Sequence, residues 1–246
     1  MDFNNQIADN PNLSNVSLKV QNYLNILLNK FGLKAELSSY HKNGADMVTL
    51  YQKMNLFHLV NSVIDNHIEG DLVEMGCYDG RTATLIQTIL ESKSSEKKLY
   101  LYDNFKHDFG TKANVKQELY KNFTSRNLKD PLLVEGFFSD TIPAKLPSEI
   151  CFMHIDCGYG GDPVEHKNNI LHILNTTYDR LTPGSIAMFM DYHDKEVTVG
   201  GWDANPGVKM ACDEFFAGKP EKVHVLFGGN YSHGYIKKQL LSKPLE

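Results

Sequence analysis

The sequence predicts an α/β protein built on one mostly parallel β-sheet with helices on both faces. From about residue 70 onward, short apolar segments alternate with amphipathic helical segments, and four of the apolar segments end at an acidic residue. The first of them runs into a turn with two glycines. Regular strand–helix alternation is typical of parallel sheets, because a crossover must return the chain between parallel strands. A chain of 246 residues, 41% of them hydrophobic, can bury the core of one such domain.

The predicted elements follow in order along one domain, 1–246, which we divide into a helical N-terminal extension or lid (about 1–69) and a core (about 70–240). Apolar residues at helical spacing predict helices over 16–31 and 48–66. Seven strands are predicted over 71–74, 98–102, 132–135, 150–155, 185–190, 222–227 and 235–238. The last strand closes a hairpin and is expected to be antiparallel. Helices are predicted between the strands over 82–91, 113–125, 164–181 and 207–217.

The turn after the first strand has the pattern Glu74-x-Gly76-x-x-x-Gly80. Glycine allows the backbone to turn tightly and to approach a ligand closely. The spacing differs from the G-x-G-x-x-G pattern that binds a dinucleotide. It resembles the first motif of S-adenosylmethionine-dependent methyltransferases. This resemblance implies that Glu74, Gly76, Gly80 and Thr82 bind the cofactor.

Four predicted strands bring an acidic residue to the carboxyl edge of the sheet, where open α/β sheets bind ligands: Glu74, Asp103, Asp156 and Asp191. Asp103 is expected to accept hydrogen bonds from two ribose hydroxyls, the alternative being that it caps the next loop. Phe137 and Phe138, beyond the third strand, either offer an aromatic face to adenine or pack in the core.

Asp156 and Asp191 are the candidate metal ligands. Two converging carboxylates repel each other unless a cation lies between them, and carboxylate oxygens suit Mg²⁺. Such an ion would lower the pKa of a substrate hydroxyl and orient it. The alternative is that one of these aspartates contacts the cofactor while the other caps a helix. Asp156 is also a candidate cofactor-binding residue.

The candidate catalytic residues are Asp156, His193 and His233. An imidazole titrates near neutral pH and can take a hydroxyl proton. His193 lies two residues after Asp191, and His233 is predicted in the last turn, on the side of the site. His154, within a strand, is expected to be a core residue or to support the site.

Taken in order, segments between about residues 47 and 238 resemble the macrocin O-methyltransferase family (TylF/MycF type). The matching segments are GDLVEMG (70–76) with Gly80, EGFFSDTIP (135–143), HID (154–156), YDRLTPGS (178–185), DY (191–192) and PGVKMACDEF (206–215). The resemblance implies the Rossmann-like fold of class I methyltransferases. It also implies S-adenosylmethionine as cofactor, a sugar hydroxyl of a natural product as acceptor, and Mg²⁺.

The sequence departs from the family pattern at two places. After the fifth strand the family has paired aspartates, whereas this chain has Met190-Asp191. After the fourth strand the family has Asp-Gly-Asp, whereas this chain has Asp156-Cys157-Gly158. A second acid that could act as base is therefore missing, and Asp162, His193 and Asp194 are candidate substitutes.

The leading hypothesis is a S-adenosylmethionine-dependent O-methyltransferase that acts on a small molecule. One alternative is a metal-independent or non-catalytic protein that binds the same cofactor, which Met190 would favour. A second is an NAD-dependent oxidoreductase, against which the missing third glycine argues. The net charge of −5 disfavours nucleic acid as a partner.

We expect a cytoplasmic homodimer. No apolar stretch approaches the length of a membrane span, and the four cysteines have no C-x-x-C spacing. The helix over 16–31 has an apolar face suited to a second copy of the chain. The acceptor pocket is expected between the N-terminal helices and the loop over 195–205, which holds Trp202.

Overall fold

The structure, a computed structural model of the chain, describes residues 15–33, 47–107, 114–158, 160–194, 203, 205–228 and 232–239. The internal contacts divide the chain into two units, Met1–Met47 and Val48–Glu246. The first unit contains helix α1 (Asn15–Lys30), and every other described helix and strand belongs to the second. No helix within the described ranges is long and apolar enough to cross a membrane.

The second unit alternates strands and helices as predicted. Its helices are α2 (Leu50–Asp65), α3 (Arg81–Ser92), α4 (Val115–Ser125), the short α5 (Phe138–Thr141), α6 (Pro163–Thr177) and α7 (Gly207–Phe216). Its strands are β1 (Asp71–Met75), β2 (Leu99–Asp103), β3 (Leu132–Glu135), β4 (Ile150–Ile155), β5 (Leu181–Phe189), β6 (His224–Phe227) and β7 (Ser232–Lys237).

These strands form one seven-stranded sheet in the order β3-β2-β1-β4-β5-β7-β6. All neighbouring strands are parallel except β7, which is antiparallel to β5 and β6. The predicted mostly parallel sheet with an antiparallel last strand is confirmed. The strand order reverses between β1 and β4, and open α/β sheets bind ligands outside the carboxyl ends of the strands at such a point.

The two faces of the sheet carry different side chains, because neighbours along a strand point to opposite faces. On one face, Val73 and Met75 of β1 join a large apolar core with residues of α6 and α7. On the other face, Glu74 of β1 pairs in register with His154 of β4, and His154 pairs with Met188 of β5. A buried polar pair therefore lies in the centre of the sheet.

Helix α2 packs on the sheet and is fixed at its N-terminus by a capping box. The Thr49 hydroxyl accepts the backbone N–H of Gln52, and the Gln52 side chain accepts the backbone N–H of Thr49. The same hydroxyl donates to the backbone oxygen of Gly228, after β6, at 2.7 Å. Leu56 and Val60 of α2 are buried. The first turn of α2 is therefore bonded to the β6–β7 hairpin.

Two strands begin earlier than the sequence predicts. β5 begins at Leu181 instead of residue 185, because Leu181 already pairs with Ile150 of β4. The next pair is Ile186 with Phe152, so β5 has more residues between the two pairs than β4 has, and they include Gly184 (φ +85°). β7 begins at Ser232 instead of residue 235 because it pairs on both sides, with β5 and with β6. His233, predicted in a turn, is therefore a strand residue.

Candidate active site

The glycine turn after β1 is formed as the sequence predicts. Gly76 (φ +85°) and Gly80 (φ +77°) adopt the left-handed conformation that glycine tolerates best. A Cβ atom on Gly76 would lie 2.1 Å from the backbone oxygen of Asp156. The turn therefore brings the backbone after β1 against the end of β4. Gly80 precedes α3, and Thr82 is buried in its first turn.

Asp103, at the end of β2, ties this turn to the neighbouring strand. Its Oδ2 accepts the backbone N–H of Tyr78 at 2.9 Å, and its Oδ1 accepts that of Phe105 at 2.7 Å. The loop-capping role considered as an alternative is thus present. Each carboxylate oxygen has a further lone pair, so the side chain can still accept bonds from a ligand.

Phe137 lies immediately after β3, at the same edge of the sheet. Its side chain is 49% exposed, which leaves its ring accessible to a ligand. The Nζ atom of Lys106 lies 4.2 Å from the ring centroid, a cation–π contact. Phe138, by contrast, packs against the apolar core. Of the two phenylalanines, Phe137 is the one with an exposed face.

Glu74 and His154 form a buried pair at the centre of the edge. The Nδ1 atom of His154 lies 2.7 Å from Oε1 of Glu74, and neither residue is exposed. Burial alone would lower the pKa of His154, but the hydrogen bond and charge of Glu74 and other nearby carboxylates outweigh it, so this pKa is raised. His154 therefore hydrogen-bonds one edge acid, Glu74, and interacts electrostatically with two others, Asp156 and Asp191.

Asp156 and Asp191 follow β4 and β5 and are close enough to interact electrostatically. Burial raises the pKa of Asp156, the charge of His154 opposes this, and Asp191 raises it further. Burial also raises the pKa of Asp191, and the hydrogen bond that Asp191 Oδ2 accepts from Asn205 Nδ2 at 2.8 Å only partly opposes the rise. Met190, where the family has an acid, is buried.

The two candidate histidines are both buried near this edge. The backbone N–H of His193 donates to the backbone oxygen of Asp191 at 2.7 Å, in a tight turn after β5. His233, in β7, contacts Asn55 of α2 through its Nε2 atom at 3.1 Å. Burial, together with the nearby charge of His154, lowers the pKa of His233 to about 4. His233 is therefore neutral at ordinary pH.

Asp162, a candidate substitute for the missing acid, has a structural role, and most of the predicted pocket loop is not described. Asp162 caps α6, where its side chain accepts the backbone N–H groups of Val164 and Glu165. The loop predicted to shape the acceptor pocket, including Trp202, lies outside the described residues at 195–202 and 204. Within the described residues, no group of three or more His, Cys, Asp or Glu side chains is arranged to hold a metal ion.

Asn55 and Asn205 bond two of the predicted site residues; nothing in the sequence indicated Asn55, and Asn205 was indicated only as the end of the pocket loop over 195–205. Asn205 is held in turn by the backbone N–H of Gly160, which donates to its Oδ1 at 2.9 Å. Asn55 is 178 positions from His233, and Asn205 is 14 positions from Asp191. No motif singles out either of them, so only the fold could reveal these contacts.

Comparison with known proteins identifies similar chains. The family model of macrocin O-methyltransferases (TylF) matches residues 35–204. Mycinamicin III 3''-O-methyltransferase of Micromonospora griseorubida is 22% identical over 170 residues, which are 59% of this chain and 64% of that protein. The 8-demethyl-8-(2,3-dimethoxy-alpha-L-rhamnosyl)-tetracenomycin-C 4'-O-methyltransferase of Streptomyces olivaceus is 24% identical over 168 residues, 59% of this chain and 62% of that protein. The chain thus aligns with less than two thirds of either relative.

Among solved structures, the O-methyltransferase NovP superposes with a TM-score of 0.63 at 20% identity, covering 82% of this chain and 85% of that one. At this level of identity the likeness concerns the fold. The Rossmann-like methyltransferase fold implied by the sequence is confirmed.

Proposed function

The chain belongs to the macrocin O-methyltransferase (TylF) family, and from this premise we propose that it transfers the methyl group of S-adenosylmethionine to a hydroxyl of a small molecule. The acceptor class we propose is a sugar or a natural-product glycoside. The observation that carries the proposal is the edge of β1, β2 and β4, where the glycine turn is bonded to Asp103 and abuts Asp156.

For the cofactor, we assign the glycine turn and the residues around it to binding. Close backbone approach at Gly76 and free lone pairs on Asp103 suit the methionine and ribose parts, and the exposed ring of Phe137 suits adenine. The acids of this edge suit the positive sulfonium. The proposed cofactor residues are Glu74, Gly76, Gly80, Thr82, Asp103, Phe137 and Asp156. Because Glu74 is fully buried against His154, its role would be to hold the end of β1, and so the glycine turn, in place.

We assign to Asp156 the role of the base that receives the proton of the acceptor hydroxyl. Of the four edge acids, three are engaged within the described residues: Glu74 by His154, Asp103 by two backbone N–H groups, and Asp191 by Asn205. Asp156 is the one whose carboxylate accepts no hydrogen bond from the described residues, and its pKa is raised by burial. A general base works best when its pKa lies near the operating pH. His233, with a pKa near 4, is a weaker base, and His193 stays a further candidate.

The bound cofactor supplies an electrophilic methyl group for one direct displacement. Asp156 would receive the proton that the acceptor hydroxyl releases when its oxygen displaces the sulfur from this methyl group. The chain's contribution is to hold the acceptor oxygen in line with that methyl group, since orientation supplies much of the rate in such transfers.

The sequence-based expectation that Asp156 and Asp191 bind magnesium is untested, and no step is routed through a metal ion. The donor set fits a divalent cation poorly. Oδ2 of Asp191 is already bonded by the amide of Asn205, and the position where the family supplies a further acid is the buried thioether Met190. The sequence-based expectation of a cytoplasmic homodimer also stays a proposal. It is supported by the apolar face of the sequence over 16–31 and by four cysteines that are all free.

The proposed function is tested by cofactor binding and by methyl transfer. Calorimetric titration with S-adenosylmethionine should show binding, and Asp103→Asn should weaken it by about 10- to 100-fold, as expected for a hydrogen bond to a charged group. The exposed Asp130, changed to Asn, is the matched control and should bind normally. Unaltered binding by Asp103→Asn would show the assignment to be wrong. Mass spectrometry after incubation with rhamnosides and other glycosides tests transfer, and a chain that binds the cofactor but methylates no acceptor would contradict the enzyme.

A further inference from the structure

The side chain of Asn55 joins α2 to both strands of the β6–β7 hairpin. Its Nδ2 atom donates to the backbone oxygen of Phe227 at 2.9 Å and lies 3.1 Å from Nε2 of His233. A backbone carbonyl can only accept, so the atom that faces it must be the amide nitrogen and not the amide oxygen. The second hydrogen of the amide is then directed to His233. Nε2 of His233 must accept it.

This contact selects one form of His233. A neutral imidazole carries a single hydrogen, and if Nε2 accepts, that hydrogen is on Nδ1. The side chain of His233 is fully buried, and its lowered pKa keeps the ring neutral. Nδ1 is itself buried and has no hydrogen-bond partner within the described residues. A buried N–H donor without an acceptor is unfavourable, so an oxygen atom is expected opposite it.

The position of His233 in the sheet indicates what supplies this oxygen. β7 is antiparallel to β5, and Gly234 pairs with Phe189, the last residue of β5. His233 therefore lies one step beyond the end of β5, beside the segment Met190-Asp191. This is the same edge at which Asp156 would receive the acceptor proton.

We propose that Asn55 is a positioning residue that fixes His233 as an N–H donor, and that Nδ1–H of His233 binds an oxygen of the acceptor. This inference rests on the proposed function and goes beyond it in naming a specificity-determining contact. The bonded oxygen is a neighbour of the one that is methylated, because an N–H bond to the attacking oxygen would withdraw its electron density. His233 is then a recognition residue for acceptors with adjacent oxygens, as in a sugar diol, and it does not act as the base.

The role of Asn55 is tested by the hydrogen position on His233. Long-range ¹H–¹⁵N NMR spectra of the full chain with labelled histidine distinguish the two tautomers and the imidazolium, and the His233 signal is identified by its loss in His233→Asn. The wild type at neutral pH should show hydrogen on Nδ1 only. Asn55→Asp replaces the donor by an acceptor of the same shape and should move hydrogen to Nε2. An Nε2–H form in the wild type, or an unchanged signal in Asn55→Asp, would overturn the inference.

A matched control lies six residues further along the same helix. Asn61 also donates its side-chain amide to a backbone oxygen, that of Phe57 at 2.8 Å, so Asn61→Asp makes the same chemical change away from His233. It should leave the His233 signal unchanged, and a similar change there would overturn the assignment to Asn55. If Asn55→Asp does not fold, Asn55→Ala replaces it and should give a mixture of tautomers, whereas retention of the pure Nδ1–H form would count against the inference.

The acceptor contact is tested with two variants of His233 itself. His233→Asn keeps an amide N–H near the position of Nδ1, whereas His233→Phe keeps a ring without a donor. We expect His233→Phe to raise the acceptor KM about tenfold or more, and His233→Asn to stay within about threefold of the wild type. The affinity for S-adenosylmethionine should change in neither. An equal loss in both variants, or a fall in kcat alone, would overturn the recognition role.

The two proposals can fail separately. If the wild type binds no S-adenosylmethionine, the proposed function fails and the acceptor contact fails with it. The tautomer spectra do not depend on any ligand and still decide whether Asn55 fixes His233. If the cofactor binds and acceptors are methylated but the spectra contradict the expected form, the proposed function stands and this inference is wrong.

Discussion

Replacing Glu74 and His154 singly and together tests whether their contact is a buried ion pair. Both side chains are fully buried, and Nδ1 of His154 lies 2.7 Å from Oε1 of Glu74. Opposite charges centred about 4 Å apart attract by about 4 kcal/mol at an effective dielectric constant of about 20. The loss of hydration offsets part of this attraction. The largest effect on the free energy of unfolding is therefore expected when only one partner of the pair is removed.

We expect the two single variants to differ in stability. In Glu74→Leu the remaining imidazole can lose its proton, so the cost is that of an unpaired buried polar group, about 1–3 kcal/mol. In His154→Leu a carboxylate stays buried without its partner, which typically costs about 3–5 kcal/mol. The double variant removes both charges and should be more stable than His154→Leu alone.

Urea unfolding of the four proteins, followed by circular dichroism, gives these free energies. Two single effects that simply add in the double variant would refute the ion pair, because independent sites are additive.

A series of unfolding measurements at different pH values gives a second test of the ion pair. Burial lowers the pKa of His154, but the bond to Glu74 and nearby carboxylates give a net rise. Its stabilising contribution is therefore present below the unfolded pKa of about 6.5 and lost as the pH rises through the folded pKa. The wild type should lose this contribution on going from about pH 6 to about pH 9, and the double variant should not.

Two further predictions concern the glycine turn and magnesium. Gly76→Ala should lower the free energy of unfolding by more than about 2 kcal/mol, since its φ is +85° and the new Cβ would lie 2.1 Å from the backbone oxygen of Asp156. Gly218→Ala, where no atom lies within 4 Å of the new Cβ, is the control, and equal effects in urea unfolding would contradict the reasoning. Magnesium, titrated calorimetrically into the cofactor-loaded protein, should bind no more tightly than about millimolar, because Asp191 is already bonded by a side-chain amide. Micromolar binding that is lost in Asp191→Asn would instead support a metal centre.

Local sequence patterns were sufficient to predict the sheet and the approximate positions of the edge acids. Buried parallel strands are short apolar runs, and the two glycines of the turn mark backbone that must adopt positive φ. The start of β7 was not predictable in this way. Ser232 and Gly234 are residues typical of turns, yet this segment pairs with β5 on one side and β6 on the other. Pairing on both sides outweighs local preference, and pairing is not visible in a single segment.

The partners of the site residues were out of reach of the sequence for a related reason. Glu74 and His154 are 80 positions apart, and Asn55 and His233 are 178 apart. Each pair meets only because the sheet order places β1 beside β4 and brings β7 under α2. Neither Asn55 nor Asn205 belongs to a recognisable motif. The sequence could identify which residues reach the edge, but not which of them are already bonded there.

That distinction changes the argument for a metal ion. The expectation of Mg²⁺ rested on two carboxylates, Asp156 and Asp191, that repel each other unless a cation lies between them. In the fold, the imidazole of His154 lies close enough to both to oppose the rise in each pKa, and the Asn205 amide bonds Asp191. Met190 adds no third charge. His154 and the Asn205 amide therefore offset part of the repulsion for which a cation was invoked, while burial still leaves the pKa of both carboxyl groups raised.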